Sequence, residues 1–453
     1  PVFALSTSGP KRRCAATMNV ALHKRRFGVM LSAMSSGQDS MLYALHAIQR
    51  SFLNPVANFS QKASDLLEGN DGLPARMLRA NLASLHRITK AFDKPAFGIT
   101  HANAHGAEMV VVEEEIDCHP FCRLVRFARR SEEPTTAAAL AADPRVLVVA
   151  PLSGHFATLL RDTVATLLRD HDVYVTDWVD ARDVPVAEGA FSLDDYVVTV
   201  QRFIRKLGAA NLHVIAVCQP TVPVLGAVAL MAGDGEPTPR SLTLMGGPVD
   251  ARRSPTEVNR LATEHTLAWF ETNMIHRVPA GYAGHGRAVY PGFLQLTAFT
   301  MMNPERHAES YGLYWLDRFR GAAGAERAKT HETFYDEYNA VLDMDAAYYL
   351  DTVEKVFQQF ALARGTWVVN DERVRPETIS TTALFTIEGA NDDISGLGQT
   401  EAAHDLCTAI PKERRRHLVA EGCGHYGIFS GRRWREAIYP EVRAFIRAAE
   451  AAR

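Results

Sequence analysis

The stretch Leu212-His213-Val214-Ile215-Ala216-Val217-Cys218-Gln219-Pro220-Thr221-Val222-Pro223-Val224 leaves a folding chain few choices. An apolar run rich in β-branched residues stops at a cysteine, and an Ala/Val/Leu-rich helical pattern follows with almost no loop between them. This spacing predicts a buried strand turning sharply into a helix, the outline of a nucleophile elbow. The corner side chain stands at the top of the strand and at the helix N-terminus, whose unpaired N–H groups favour negative charge. A thiolate is at home there, and a developing oxyanion finds donors beside it. The spacing departs from G-x-S-x-G, because Ala216 and Pro220 replace the glycines and Cys218 replaces the serine. Taken alone, the stretch suits a buried core cysteine equally well, since free cysteine is among the most buried residue types.

The surrounding chain alternates strand and helix. Glu108 to Asp117 and Phe121 to Ala128, separated by His119-Pro120, read as an antiparallel hairpin. Arg145 to Ala150 is a continuous apolar run, Asp172 to Trp178 is the next strand, and a helix over Leu193 to Leu207 precedes the elbow. Ser241 to Met245 follows it and ends in Gly246-Gly247-Pro248, and the pattern resumes with Thr382 to Glu388, Arg416 to Ala420 and a last helix over Arg433 to Ala449. Such alternation predicts an α/β class with a mostly parallel sheet and ligands bound beyond its carboxyl ends. Upstream, Met41, Leu42, Leu45, Ile48 and Phe52 repeat at helical spacing, and a second amphipathic segment runs from Met77 to Phe92. The two predict an N-terminal helical layer. Between Val249 and about Glu377 the alternation gives way to helix formers and aromatics, the pattern of a helical cap insertion. The expected division is therefore a disordered extension over 1–40, a helical layer and first core part over 41–248, a cap over 249–377 and a second core part over 378–453.

Composition narrows the function classes. Acids and bases nearly balance at a net charge of −3, so no basic footprint for nucleic acid is expected. No stretch reaches the roughly 20 apolar residues that span a bilayer. The six cysteines are scattered without paired C-x-x-C units, which predicts no zinc site and a reducing compartment. Cys118 and Cys122 are close enough to leave a disulfide open.

A cysteine nucleophile needs a base, and the base needs an orienting acid. In α/β-hydrolases these follow in the order nucleophile, acid, histidine, each after a strand. Gly389-Ala390-Asn391-Asp392-Asp393-Ile394 follows the Leu384 strand, and Glu421-Gly422-Cys423-Gly424-His425-Tyr426-Gly427 follows the Leu418 strand. Two such loops in order point to a triad of Cys218, Asp392 and His425. Asp392 is favoured as the acid, with Asp393 as turn residue or alternate partner. Cys423 lies near His425 but not on an elbow. For the oxyanion, the Gln219 N–H is one expected donor and the loop around Leu152 and Ser153 the other. His155 in that loop reads equally as a further donor or as a helix cap.

From Met41 to the C-terminus the chain resembles the bacterial intracellular polyhydroxybutyrate depolymerases, relatives of the polyhydroxyalkanoate synthases. The resemblance rests on Ala216-Val217-Cys218-Gln219-Pro220-Thr221-Val222-Pro223, supported by Pro151-Leu152-Ser153-Gly154-His155, Glu388 to Gly396 and Gly424-His425-Tyr426-Gly427. It implies an α/β-hydrolase with Cys218 as nucleophile, Asp392 as acid and His425 as base. It also implies a cytoplasmic enzyme hydrolysing poly(3-hydroxybutyrate) polymer or oligomers at granule surfaces, without metal or cofactor. Synthase relatives resemble G-x-C-x-G at the box, so Ala216 and Pro220 favour the depolymerase. Acyl transfer to a thiol, synthase-like polymerisation and an inactive granule coat are the competing expectations, and self-association stays open.

Overall fold

Nine strands form one sheet. The computed structural model describes residues 41–302 and 304–452, so the extension expected over 1–40 lies outside the described residues. The strands are β1 (His101–Ala104), β2 (Ala107–His119), β3 (Cys122–Arg130), β4 (Arg145–Val149), β5 (Asp172–Trp178), β6 (Leu212–Val217), β7 (Ser241–Met245), β8 (Ala383–Gly389) and β9 (Arg415–Ala420). They lie in the order β1-β2-β3-β5-β4-β6-β7-β8-β9. The first three pair antiparallel, as does β3 with β5, and every pairing from β5 to β9 is parallel. β5, β6, β7 and β8 are buried at every residue, as strands with helices on both faces must be. This is an α/β-hydrolase fold. It puts β6 centrally, with the loops after β4, β6, β8 and β9 at one edge.

Two helices open the described chain, α1 (Met41–Asp65) and α2 (Leu73–Thr89). The helical periodicity is met, but the side facing the protein is not the large apolar one. Leu42, Leu45 and Phe52 are 42%, 49% and 72% exposed, whereas Tyr43, Ala57, Ser60 and Ser64 are buried. Small residues let the helices approach, and the His86 Nδ1 meets the Ala57 carbonyl at 3.0 Å. Tyr43 anchors the start of α1 by donating to Asp343 Oδ2 at 2.6 Å. Spacing reveals the period of a helix but not which stripe a neighbour will cover.

After α3 (Leu193–Leu207) and α4 (Thr221–Gly233), the segment between β7 and β8 carries α5 (Gly292–Met302), α6 (Pro304–Arg320) and α7 (Ala325–Tyr338). It also holds a three-stranded sheet of Ala288–Tyr290, His276–Arg277 and Met344–Asp345 and a hairpin of Val368–Val369 with Glu372–Arg373, so the span expected to be helical is mixed. Arg287 fixes it to the core: it pairs with Asp345 at 2.7 Å and donates to the Val184, Pro185 and Gly189 carbonyls. Those carbonyls compensate a buried ion pair that would otherwise be costly to desolvate. A second tie reaches the loop after β4. Leu342 N–H donates to the Gly154 carbonyl at 2.8 Å, and His155 Nε2–H donates to the Tyr338 carbonyl at 3.1 Å.

Burial pushes His155 down to about 4, although the Tyr338 carbonyl favours its protonated form. An unfolded histidine takes its proton near pH 6.5, so between about 6.5 and about 4 the unfolded chain binds more protons than the folded one. Stability is therefore fully present above 6.5 and is lost as pH falls through that window. Thermal unfolding followed by circular dichroism is expected to show this loss, and His155→Gln should remove about 1.4 kcal/mol per pH unit of the slope. An unchanged slope in the variant would contradict the assignment.

Candidate active site

The corner after β6 is built by crowding. Cys218 takes φ +69°, a left-handed conformation that non-glycine residues rarely adopt. Its N–H donates to the Met245 carbonyl of β7 at 2.7 Å, and its own carbonyl accepts from Thr221 N–H at 3.1 Å as α4 begins. These bonds hold a strained residue on which the helix N-terminus converges. Ala216 fits between β4 and β7, opposite Val149 and Leu244, with its methyl fully buried. The room that elbow glycines usually supply comes from the neighbouring strand end. A Cβ on Gly247 would lie 1.9 Å from Thr221 Oγ1 and 2.2 Å from the Cys218 carbonyl. Gly246, at φ +56°, would meet Ile428 at 2.6 Å and Asp392 Oδ2 at 3.3 Å.

The loops after β8 and β9 are strapped together, with Asn391 N–H donating to the Cys423 carbonyl at 2.8 Å and Ala390 N–H to the Ala420 carbonyl at 3.1 Å. Asp392 Oδ1 accepts from the N–H groups of Ile394 and Ser395, both at 2.9 Å. Its Oδ2 accepts from His425 Nδ1 at 2.7 Å, and both side chains are buried. That leaves the other nitrogen for Cys218, whose side chain lies close enough to act on the His425 charge. Burial alone would lower the His425 pKa, but the Cys218 side chain and the Asp392 carboxylate outweigh it and hold the imidazole well above its ordinary range. Tyr426 and Phe429 flank the ring edge-on, each with centroids 5.7 Å from it. The structure thus brings together Cys218, His425 and Asp392. Asp393 stays outside this chain of bonds, and its charge acts instead on Tyr338 and Tyr426.

Leu152 and Ser153 follow β4 as expected, and among the described residues no backbone carbonyl claims their N–H groups or that of Gln219. His155 does not serve there, because its donor is committed to Tyr338. Cys423 is a buried thiol pushed up by its burial, and Cys122, Cys218, Cys407 and Cys423 are all free, so no bridge joins Cys118 to Cys122. Burial pushes the Tyr348 and Tyr426 hydroxyls up. Tyr338 and Leu342, from the segment between β7 and β8, lie against the loop that follows β4.

Some supporting residues carry no sequence motif. Glu388, at the end of β8, accepts from the N–H groups of Gly398, Thr400 and Glu401 at 2.8, 2.7 and 3.0 Å. Thr400 in turn accepts from Gly247 N–H at 2.8 Å and donates to the Gly247 carbonyl at 2.9 Å. A buried carboxylate thereby positions the glycine that faces the corner. A charged residue ending an otherwise apolar buried strand was the available signal. Glu388, Glu401 and His417 bring ligand atoms within 4.8 Å of one another, but the Glu388 oxygens are taken by backbone N–H groups and His417 Nδ1 meets Thr386 Oγ1 at 2.8 Å. None of the helices among the described residues is long and apolar enough to cross a membrane.

Residues 246–450 match the family described as PHB de-polymerase C-terminus, a span that includes Asp392 and His425 and begins after Cys218. No curated protein matches the chain. Solved structures similar to it include 2-hydroxy-6-oxo-6-phenylhexa-2,4-dienoate hydrolase from Rhodococcus sp. strain RHA1, at 13% identity over 75% of this chain and 99% of that one, with a TM-score of 0.41. A haloalkane dehalogenase from Bradyrhizobium elkani is similar at 13% identity over 76% of this chain and 100% of that one, also at 0.41. A bromoperoxidase from Bacillus anthracis is similar at 11% identity over 74% and 99%, again at 0.41. The strand order of the sheet and the family match over residues 246–450 support a PHB depolymerase-like α/β-hydrolase acting on ester bonds.

Proposed function

We propose that this hydrolase cleaves the ester bonds of poly(3-hydroxybutyrate) through Cys218, His425 and Asp392, as a cytoplasmic enzyme working at granule surfaces. The observation that carries the reading is the strained Cys218 corner beside a histidine that Asp392 holds at 2.7 Å. The Cys218 thiolate attacks an ester carbonyl, and the N–H groups of Gln219 and of the Leu152–Ser153 loop receive the negative charge on its oxygen. The tetrahedral intermediate collapses with loss of the chain alkoxide, which takes the proton from the His425 imidazolium and leaves as an alcohol. Neutral His425 then takes a proton from water as it attacks the thioester, releasing the acid and restoring the thiolate pair. Gln219 adds support: both atoms of its buried carboxamide lack a partner among the described residues, so they are available to a bound ester. The 249–377 segment acts as a lid over Cys218 in this reading.

The direct test is release of 3-hydroxybutyrate from amorphous polymer and from soluble oligomers. Cys218→Ala is expected to lose at least about 10⁴-fold in kcat with its thermal midpoint retained. Undiminished turnover would remove Cys218 from the mechanism. Polymer growth from 3-hydroxybutyryl-CoA, without oligomer hydrolysis, would identify a synthase instead.

Asp392→Asn should cost roughly 10³–10⁴-fold and Asp393→Asn less than about tenfold. Because the Asp392 charge raises the His425 pKa, the wild-type rate should persist above pH 6.5 and decline only on the alkaline side. In Asp392→Asn that decline should move to lower pH. A pH–rate profile with equal limbs in both proteins would contradict the assignment. Gly247→Ala, which forces a methyl against Thr221 and the Cys218 carbonyl, is expected to cost about 1–3 kcal/mol in chemical denaturation and to depress kcat more than KM.

A further inference from the structure

The hairpin of α1 and α2 presents an apolar surface that the rest of the described chain does not cover. Of 21 exposed large apolar side chains among the described residues, 11 lie between Leu42 and Ile88. On α1 they are ordered. Leu45, Phe52 and Phe59 recur every seven residues, Leu66 continues the interval in the turn just after the helix, and Leu42 and Val56 hold the position three before, so the stripe follows a 3-4 repeat. That is the spacing of a packed helical seam. Its flanks are apolar too: Ile48, Leu53 and Leu67 are only half-buried. A two-stranded coiled coil carries charges at its flanks, whereas a helix inside a bundle carries a wider apolar stripe. No ionisable residue occurs on α1 between Arg50 and Lys62. On α2, Met77, Leu78, Leu85 and Ile88 are exposed, while Arg76 reaches the Phe319 carbonyl and Arg79 is buried.

We propose that this hairpin is a self-association face, on which two copies of the chain pack α1 and α2 against the same helices of the partner as a four-helix bundle. A closed two-fold contact of this kind buries one stripe against its own copy and leaves no open edge. The size agrees. Helices of 25 and 17 residues offer faces about 37 and 25 Å long, which at a width of about 10 Å bury roughly 600 Å² per copy, or about 1,200 Å² for the pair. That is the lower end of the range for stable interfaces. The hairpin stands on α6 and α7 through Arg76, through Trp315 Nε1 donating to Asn81 Oδ1 at 2.8 Å and through Arg87 pairing with Asp336 at 2.5 Å. It is thereby presented as a firm ledge for a partner.

Light scattering on the full chain at micromolar concentration tests this. The wild type is expected at twice 49.9 kDa. Phe52→Ser combined with Phe59→Ser, both at exposed positions, is expected at the single-chain mass, with dimer affinity weakened roughly 100-fold or more. Leu85→Ser combined with Ile88→Ser should weaken it as well. Near-UV circular dichroism checks the fold of each variant independently of any activity. A monomeric wild type overturns the proposal, as do folded variants that keep the dimer mass. Loss of adsorption to protein-free amorphous polymer with no change in mass also overturns it and assigns the face to the polymer.

Discussion

Everything at the candidate site depends on one crowded contact, the approach of the β7 end to the Cys218 corner. A residue held at φ +69° stays there only if its surroundings leave no alternative. Met245 supplies the acceptor for its N–H, and Gly247 supplies the space beside its carbonyl. The missing elbow glycines thus do not mean a looser turn. Ala216 pairs in the sheet with its methyl buried, Pro220 has the φ of −55° that a helix start needs, and the freedom from side chains has moved to Gly246 and Gly247. The same two glycines let the Asp392 and His425 loops come close, because Gly246 borders Asp392 Oδ2 and the His425 ring.

Much of this was legible in the residues, for reasons that differ from element to element. Strands β4 to β8 announced themselves because burial on both faces demands unbroken apolar runs. Chain order and loop position single out Cys218, Asp392 and His425 as candidates, because such positions carry chemical information. The sequence does not separate Asp392 from Asp393 by geometry; in the structure it is Asp392 that meets His425 and accepts from the Ile394 and Ser395 N–H groups at 2.9 Å. The joint role of Glu388, Thr400 and Gly247 is not legible because they act together from three separate stretches, and no local period marks a contact of that kind. The direction of the α1 stripe is not legible for a related reason: a helical repeat shows that a face exists, and only the neighbours decide whether it is covered.

The cap is tied to the core at buried polar points rather than by a broad apolar seam alone. Arg287, Asp343 and His155 each join chain segments far apart in sequence. His155 has a further consequence, since it holds the loop that carries Leu152 and Ser153 to the Tyr338 carbonyl. The position of that loop, and so of its N–H groups, is tied to the segment between β7 and β8.

The central claim is that Cys218 becomes acylated during turnover. Acid quenching of the enzyme with an activated 3-hydroxybutyrate ester, followed by mass spectrometry of its peptides, reads this directly. The account predicts one 3-hydroxybutyryl increment, labile to hydroxylamine, on the peptide containing Cys218, accumulating further when His425 is replaced by alanine only if acylation still occurs, and absent in Cys218→Ala. An adduct on another residue, or full turnover with Cys218 never acylated, would contradict it.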